Sequence, residues 1–373
     1  MTCIVSAAGQ TFTVATLNVD GLPEKILVIK LNSDGPGASG TRRASSYLAA
    51  KNYDIIGVQE DFYYHDELRS SLDNGYDRGE WQGFNTGSLP WFHLDRLKFD
   101  TDGLCEFWQK RHQCLSEEAV KWNDAYGRLD HANDDLCNKG FRRVEMRLAS
   151  GRQIVVYNMH MDASEQKDEE SGNDAGDKRA RWSQWRQLRR HVLERLDDRP
   201  VILMGDMNSY YTRDSILKLF TLPIESTGRH VVRDCWVEHS RQNRYPAIGD
   251  EPLKPWKYGY QQGEVLDKIL YIIPTKGPLL ELLDYHVETD YTWDNGSPLG
   301  DHHPVTARFS YVEKGDANAD GIVDSADASC IARHLVGLTS AVFSPWAADA
   351  NGDGRIDITD VTFVVSTTVT KTK

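Results

Sequence analysis

Acidic, amide and imidazole side chains follow directly on several short apolar runs of this sequence. The set comprises Asn18, Asp20, Glu60, Asn158, His160, Asp206, Asn208, Asp267 and the segment Asp301 to His303. Carboxylate and amide oxygens bind hard divalent cations, and imidazole can exchange a proton near neutral pH. No reactive serine or cysteine accompanies them. The chemistry that suits this set is attack of a water molecule on a phosphate ester, assisted by a metal ion.

To act together, these side chains must lie on strands and helices whose ends meet at one site. Apolar runs at residues 11–19, 54–60, 152–160, 200–208 and 268–274 predict buried strands that end in polar residues. Residues 41–52 and 179–196 predict amphipathic helices, the second with Trp182, Trp185, Leu188 and Val192 on one buried stripe. Polar strand ends indicate sheets whose loops gather at one edge. The expected class is mixed α and β, arranged as a layered sandwich.

Six motifs stand in the order typical of one enzyme family. They are TLNVDG, GVQE, NMH, GDMN, LDKILY and DHHP, spread over about residues 10–311. In this the chain resembles the endonuclease/exonuclease/phosphatase superfamily, which has the DNase-I-like fold. The resemblance implies an α/β (α+β) domain over residues 1–312, a four-layered β-sandwich flanked by helices, that hydrolyses phosphodiesters with Mg²⁺. One departure is Gly300, which stands where the family usually has serine.

The resemblance also implies a role for each matching residue. The metal ligands would be Asn18, Glu60 and Asp301, and the catalytic residues would be His160, Asp206, Asn208, Asp267 and His302. Asp206 and Asn208 would position water and phosphate, His160 would donate to a phosphate oxygen, and Asp267 would orient and polarise His302.

The histidine pair in DHHP needs a choice between its members. Strand alternation would place Asp301 and His303 on one face, whereas the motif spacing selects His302. The segment must then be a loop that enters a strand after Pro304, since proline is tolerated at a strand's beginning. His303 is expected to line or rim the site.

The sequence offers more than one substrate class. Residues 135–163 and 178–188 resemble the sphingomyelinase-like branch, which implies a phospholipid headgroup as substrate. Lys139 in this stretch could meet a phosphate or be an exposed hairpin lysine. The alternative is an extracellular nuclease, favoured by a basic run that comprises Lys178, Arg179, Arg181, Arg186, Arg189 and Arg190. A third reading is a binding module without catalysis.

Two acidic loops repeat near the C-terminus, at residues 316–327 and 349–360. Each has oxygen ligands at loop positions 1, 3, 5, 9 and 12 and glycine at position 6, the pattern of a calcium loop. The predicted ligands are Asp316, Asn318, Asp320, Asp324 and Asp327, then Asp349, Asn351, Asp353, Asp357 and Asp360. The sequence therefore predicts two Ca²⁺ sites.

This repeat resembles a type I dockerin, a small all-α calcium-binding domain with two EF-hand-like loops, here over residues 315–373. The resemblance implies a cohesin module on a scaffold or cell surface as partner. The cohesin-facing positions would be Ser325, Ala326, Ile358 and Thr359. The last helix, rich in β-branched residues, has poor helical propensity.

Composition adds broad limits. The 373 residues carry a net charge of −13, which argues against a broad basic surface for a polyanion. No apolar run is long enough to cross a membrane. We expect a secreted bacterial protein whose signal peptide is not in this chain. Six cysteines without a CxxC pair argue against a thiolate zinc site, and the spacing of Cys105, Cys114 and Cys137 allows either a disulfide or free thiols.

Overall fold

The computed structural model of the chain describes residues 11–26, 29–30, 35–82, 92–93, 98–99, 101–127, 134–135, 137–214, 220, 230–274 and 277–371. The strands are β1 (Thr11–Asn18), β2 (Lys25–Ile26), β3 (Ile29–Lys30), β4 (Ile55–Gln59), β5 (Tyr76–Arg78), β6 (Phe92–His93), β7 (Lys98–Phe99), β8 (Cys105–Gln109), β9 (Gln113–Lys121), β10 (Gly140–Arg147), β11 (Gln153–His160), β12 (Val201–Asp206), β13 (His230–Asp234), β14 (Asp267–Pro274), β15 (Leu279–Val287) and β16 (Val305–Val312). The helices are α1 (Gly37–Lys51), α2 (His65–Leu72), α3 (Gln166–Ser171), α4 (Ala175–Arg195), α5 (Cys235–Arg241), α6 (Pro255–Tyr258), α7 (Ser325–Leu335), α8 (Pro345–Ala348) and α9 (Ile358–Lys371).

Two six-stranded sheets form the larger part of the molecule. The first has the order β15-β16-β1-β4-β8-β5 and the second β13-β14-β12-β11-β10-β9. In each sheet one central pair is parallel, β1 with β4 and β11 with β12, while the other neighbours are antiparallel. The two parallel pairs set the direction in which the site residues are presented.

The sheets pack face to face, with helices on their outer faces. Phe12 and Val14 of β1 share one buried cluster with Val156 of β11 and Leu203 of β12. On the other side of the first sheet, Leu48 of α1 packs in a cluster with residues of β1, β4 and α2. The predicted α/β sandwich flanked by helices is confirmed.

Helix α4 covers the second sheet, but the predicted stripe is wrong at one position. Trp185, Leu188 and Val192 are buried, whereas Trp182 is 40% exposed and lies 4.4 Å from the guanidinium of Arg186. At 100° per residue Trp182 falls at the margin of the stripe that the other three define. Its ring therefore lies at the protein surface, covered on one side by an arginine.

The C-terminal segment forms a small helical domain with its own core. Ile331 of α7 and Val364 of α9 are fully buried in it, and α9 forms despite its β-branched residues because packing outweighs propensity. This domain lies directly against the sandwich. Ala347 of α8 is buried in the main core cluster, and its carbonyl accepts a 2.8 Å hydrogen bond from the Gly315 amide.

Two further sequence questions have answers in the described residues. Five of the six cysteines lie there, including Cys105, Cys114 and Cys137, and all five are free thiols. None of the described helices has the length and apolar character needed to span a membrane.

Candidate active site

The carboxyl ends of the two parallel strand pairs meet at one edge of the sandwich. β1 ends at Asn18, Glu60 follows β4, β11 ends at His160 and β12 ends at Asp206. One antiparallel strand begins at the same edge, because Asp267 at the start of β14 is paired with Asp206. The alternation of strand directions thus gathers side chains from four strand ends and one strand start.

One amide links the two sheets at this edge. The Asn18 side chain donates to Glu60 Oε1 at 2.9 Å and to Asp206 Oδ2 at 3.2 Å. Asp206 also accepts a 3.0 Å hydrogen bond from the Asn208 amide on its other oxygen. Burial raises the pKa of Asp206, the nearby His302 lowers it, and the net shift is upward. A carboxylate with a raised pKa is suited to accept a proton.

The backbone is bent into unfavourable conformations at the same place. Glu60 and Asn208 both have positive φ angles, 58° and 46°. Such conformations cost energy in non-glycine residues and concentrate at functional sites. Glu60 directly follows β4 and its carboxylate meets Asn18, whereas Asn208 lies two residues after β12 and its side chain donates to the Met161 carbonyl at 3.0 Å.

His302 lies against two aspartates. Its Nδ1 is 2.6 Å from Asp267 Oδ2 and its Nε2 is 3.8 Å from Asp206 Oδ2. Burial lowers the pKa of His302, but Asp267, Asp206 and Asp301 raise it, and the result lies well above the usual value. Because Asp267 holds Nδ1, the other nitrogen is directed at the cleft.

His303 has different surroundings. Its Nδ1 is 3.1 Å from the carbonyl of Glu288, and its ring packs edge-on against Tyr260 at 4.8 Å. Residues 301–304 form a loop and β16 begins at Val305, as the choice of His302 required. The structure thus brings His302 to the carboxylates and leaves His303 at the rim.

His160 is fully buried beside a lysine. The Lys139 ammonium is 3.1 Å from His160 Nε2 and is ion-paired with Asp134. Burial, together with the charges of Lys139 and His302, lowers the pKa of His160 well below its usual value. Neutral His160 therefore accepts from Lys139, which is the charged donor of the pair. Lys139 is a cleft lysine and not the exposed hairpin lysine that the sequence left open.

Asp301 is the most exposed of the predicted metal ligands. Burial raises the pKa of Glu60, Lys139 and Asn18 lower it, and the negative charge of Asp301 raises it further. Two carboxylates of like charge at the opening, with a strand-end amide between the sheets, fit a hard divalent cation.

Among the described residues, one group with metal-ligand spacing lies in this cleft. Atoms of Asp206, Asp267 and His302 lie within 4.8 Å of one another. However, the histidine nitrogen Nδ1 is engaged with Asp267, and the raised pKa of His302 favours the protonated form, which does not bind metals. This group is better suited to proton transfer than to a metal.

Asn158 and Glu106 lie behind the cleft. The Asn158 side chain donates to Glu106 Oε1 at 2.7 Å and accepts from Gln59 at 2.6 Å, which ties β11 to β4 and β8. Burial raises the pKa of Glu106 to about 7. Sequence reasoning missed Glu106 and Asp134, since neither belongs to a recognisable strand-end motif.

The two C-terminal loops have matching geometry. In the first, Asp316 accepts from the amides of Asp320 and Gly321, and Asp327 accepts from those of Asn318 and Asp324, at 2.9–3.0 Å. In the second, Asp349 and Asp360 repeat this pattern. Burial raises the pKa of Asp316 to about 6, with Asp327 and Asp320 contributing. Clustered carboxylates of this kind fit Ca²⁺.

The remaining predicted positions lie at the surface of the helical domain. Ser325 and Ala326 open α7, and Ile358 and Thr359 open α9; all four are exposed.

Known proteins share both parts of the chain. Residues 15–246 match the endonuclease/exonuclease/phosphatase family, and residues 314–367 match the dockerin type I domain. Curated sphingomyelinases from Mycobacterium bovis and Mycobacterium tuberculosis are 26% identical over 306 residues, which are 81% of this chain and 53% of theirs. The chain thus spans about half the length of the curated relatives it matches.

Solved structures agree on the fold. D. rerio TDP2, complexed with single strand DNA product, matches with a TM-score of 0.54 and 17% identity over 80% of this chain and 99% of that one. An endonuclease/exonuclease/phosphatase from Bacteroides vulgatus matches with a TM-score of 0.51 and 16% identity, covering 81% and 99%. The chain belongs to the endonuclease/exonuclease/phosphatase family and ends in a type I dockerin domain.

Proposed function

We propose that this chain is a secreted, Mg²⁺-dependent phosphodiesterase that the dockerin attaches to a cohesin-bearing scaffold. The catalytic part would be residues 1–312 and the dockerin residues 315–373. The observation that carries the proposal is the position of Asp206 and His302 in one cleft. His302 Nε2 lies 3.8 Å from Asp206 Oδ2, and His302 Nδ1 contacts Asp267. A carboxylate and a cationic imidazole so placed can act on the two sides of one phosphate.

The residues divide the work as follows. Asp206, held by Asn18 and the Asn208 amide, accepts the proton of the attacking water. His302, kept cationic by Asp267, donates to the phosphate or to the leaving oxygen. Mg²⁺ held by Glu60 and Asp301, with Asn18 beside them, would supply positive charge to the phosphate oxygens.

We assign to Lys139 the role of donor to a phosphate oxygen, which the family resemblance implied for His160. Neutral His160 accepts from the Lys139 ammonium, so the proton offered to a phosphate oxygen belongs to the lysine. His160 then positions Lys139, while Asp134 holds it from the other side.

A phospholipid headgroup is the substrate that the relatives favour. The curated relatives are sphingomyelinases, and the match covers 81% of this chain. We therefore place a choline-type phosphodiester first among the substrates.

A nucleic acid is the second candidate, and a surface feature favours it. Trp182 is exposed beside a cavity of about 600 Å³ on α4, lined in part by Arg186, Arg189 and Arg190. Within the described residues these three arginines form no ion pair, and arginine with an exposed aromatic ring is typical of sites for single strands.

The test is a substrate panel with matched variants. Bis-p-nitrophenyl phosphate is assayed with Mg²⁺ and with a chelator, for the wild type, Asp206→Asn and His302→Ala. Turnover that needs Mg²⁺ and is lost in both variants is expected. Turnover equal in all three proteins, or none in any, would reject the enzyme proposal and leave a binding module.

The same proteins separate the two substrates. Sphingomyelin, a lysophospholipid, plasmid DNA and RNA are offered side by side. Cleavage of nucleic acid alone would end the lipid proposal, and Arg186→Ala with Arg190→Ala should then reduce that cleavage.

A further inference from the structure

Two histidines and one aspartate come together on the surface of the sandwich, apart from the cleft residues described above. His239 lies in the last turn of α5, and its ring packs against Tyr285 of β15 at 6.0 Å. Asp284 and His286 lie in the same strand two positions apart, so their side chains leave the same face of the sheet. Both histidines are exposed and Asp284 is half-buried. His239, Asp284 and His286 are termed the edge cluster.

Each oxygen of the Asp284 carboxylate faces a different imidazole. His286 Nε2 is 3.3 Å from Asp284 Oδ2, and His239 Nε2 is 3.8 Å from Asp284 Oδ1. The ring centres of the two histidines are 6.5 Å apart. Two imidazoles that bind one tetrahedral zinc ion through bonds of about 2.0–2.1 Å have ring centres roughly 5 Å apart. Because both histidines are exposed, small side-chain rotations can bring the two nitrogens and a carboxylate oxygen to one shared ion.

The backbone and the local charge both favour a cation at this place. The register between β15 and β16 shifts between Leu282 and Asp284, as at a β-bulge, and bulges re-aim side chains next to functional sites. Burial raises the pKa of Glu281 and the charge of nearby Glu238 raises it further, so the surroundings of the cluster are acidic. Arg308 stands opposite Asp284 in β16, yet among the described residues no ion pair joins the two. The local field therefore favours a positive ligand.

The donor atoms of the edge cluster decide which kind of cation it suits. Ca²⁺ and Mg²⁺ prefer oxygen ligands, whereas imidazole nitrogen suits zinc, copper and nickel. Two imidazoles and one carboxylate supply three of the four ligands of a tetrahedral zinc ion, and water can supply the fourth. The Nδ1 proton of His239 can be donated to the Ser240 hydroxyl, 3.3 Å away, which leaves Nε2 for the metal. Zn²⁺ is therefore the ion that this cluster fits.

We propose that His239, Asp284 and His286 form a Zn²⁺ site that is separate from the phosphodiesterase cleft. The ion would join α5, which directly follows β13, to β15. These two strands are the outer strands of the second and the first sheet, so the ion would tie the two sheets together at one edge. Its expected effect is on stability, because a ligand that binds only the folded state raises Tm.

The test is a calorimetric titration of the full chain with Zn²⁺, in excess Ca²⁺ and Mg²⁺ that fill the oxygen sites, at about pH 8 where imidazole is generally neutral. His239→Ala, Asp284→Ala and His286→Ala each remove one ligand. His334→Ala is the matched control, since this half-exposed histidine stacks on Phe343 in the dockerin.

We expect the wild type and His334→Ala to bind a Zn²⁺ ion that the three ligand variants bind far more weakly. The loss of affinity should exceed the about 10–100-fold that an outer-shell partner of a metal contributes. Saturating Zn²⁺ should raise the Tm of the wild type by about 2 °C or more and leave that of His286→Ala unchanged.

The outcomes separate the zinc site from the proposed function. Zn²⁺ that enters the cleft would bind alike to all of these proteins, so the difference between them reports the edge cluster alone. Equal Zn²⁺ binding by the wild type and His286→Ala overturns the proposal, and so does a loss in His239→Ala that His286→Ala does not share. No outcome depends on turnover, so the zinc site and the phosphodiesterase activity can each fail without the other.

Discussion

The five residues of β4 separate two carboxylates with opposite surroundings, buried Asp54 and half-buried Glu60. Asp54, just before the strand, receives hydrogen bonds from Thr13, Arg111 and His112. Glu60, just after it, receives one from Asn18, and its neighbours include the like charge of Asp301. Burial raises the pKa of both, but the partners of Asp54 bring its pKa down to about 2, whereas the pKa of Glu60 stays raised.

The contrast separates carboxylates that stabilise the fold from carboxylates kept for chemistry. The charge of Asp54 is balanced by side chains of the chain itself, so this end of β4, away from the cleft, needs no ligand to neutralise it. At the cleft, burial and the charge of Asp301 raise the pKa of Glu60, and burial and the charge of Asp267 raise that of Asp206. These carboxylates stay available to a cation and a substrate. Free energy of folding is given up at the cleft end, as is expected of functional sites.

The largest expected effect is at the cleft. His302→Ala should lower kcat/KM for bis-p-nitrophenyl phosphate by about 10²–10⁴-fold, because the cationic donor is lost. Its Tm should also fall, because buried Asp267 and Asp206 lose their cationic partner, so kcat/KM is compared at a temperature well below Tm. An active His302→Ala together with an inactive His303→Ala would show that the motif is aligned one residue out.

At the Asp54 end of β4 we expect the opposite result, a loss of stability without a loss of activity. Asp54→Ala should destabilise the protein by about 3 kcal/mol, since it leaves Arg111 and buried His112 without their anion. Chemical denaturation measures this free energy of unfolding. Activity per folded molecule, assayed well below Tm, should equal that of the wild type; a strong loss of kcat would refute the division between the two ends.

Glu60→Gln probes the other end of β4. The apparent affinity for Mg²⁺ in turnover should fall about 10–100-fold, while Tm should stay constant or rise because the like charge beside Asp301 is removed. Glu67→Gln, on the solvent side of α2 where the carboxylate pairs with exposed Arg42, is the matched control and should leave the Mg²⁺ affinity unchanged and the Tm nearly so. A large fall in the Tm of Glu60→Gln would mean that this carboxylate stabilises the fold as Asp54 does.

The pH dependence of the free energy of unfolding gives a smaller effect, whose direction differs between Asp54 and Glu60. The pKa of Asp54 in the folded state lies below its ordinary value, so its stabilisation is complete above about pH 4–5 and is lost as pH falls towards 2. The stability difference between wild type and Asp54→Asn should shrink over that range. For Glu60 the raised pKa acts oppositely, so the cost of its charge disappears as pH falls through that pKa.

The smallest effect belongs to His303. His303→Ala removes a ring contact with Tyr260 and a hydrogen bond to the Glu288 carbonyl, and should reduce turnover of a small soluble substrate by less than about threefold. A loss as large as that of His302→Ala would place His303 in the chemistry.

The fold class and the strand-end residues could be predicted from the sequence because both depend on local patterns. Apolar runs located β1, β4, β11, β12 and β14, and the polar residues at their ends predicted that the loops gather at one edge of the sheets. Burial of Lys139 and Glu106 depends on which distant strand covers them, and no local pattern encodes that. Trp182 lies at the margin of its stripe, where a small rotation of the helix decides between core and solvent. Helix α9 is the opposite case, in which tertiary contacts reversed a local preference.

The junction between β16 and the first calcium loop has a consequence for assembly. Only three residues separate Val312 from Asp316, Lys314 donates to the Asp349 carbonyl of the second loop, and Ala347 is buried in the main core. A long linker lets an enzyme adopt many orientations relative to its attachment point. Here a cohesin that bound the dockerin would also fix the orientation of the cleft. The angle between the scaffold and a surface would then decide which substrates the cleft can reach.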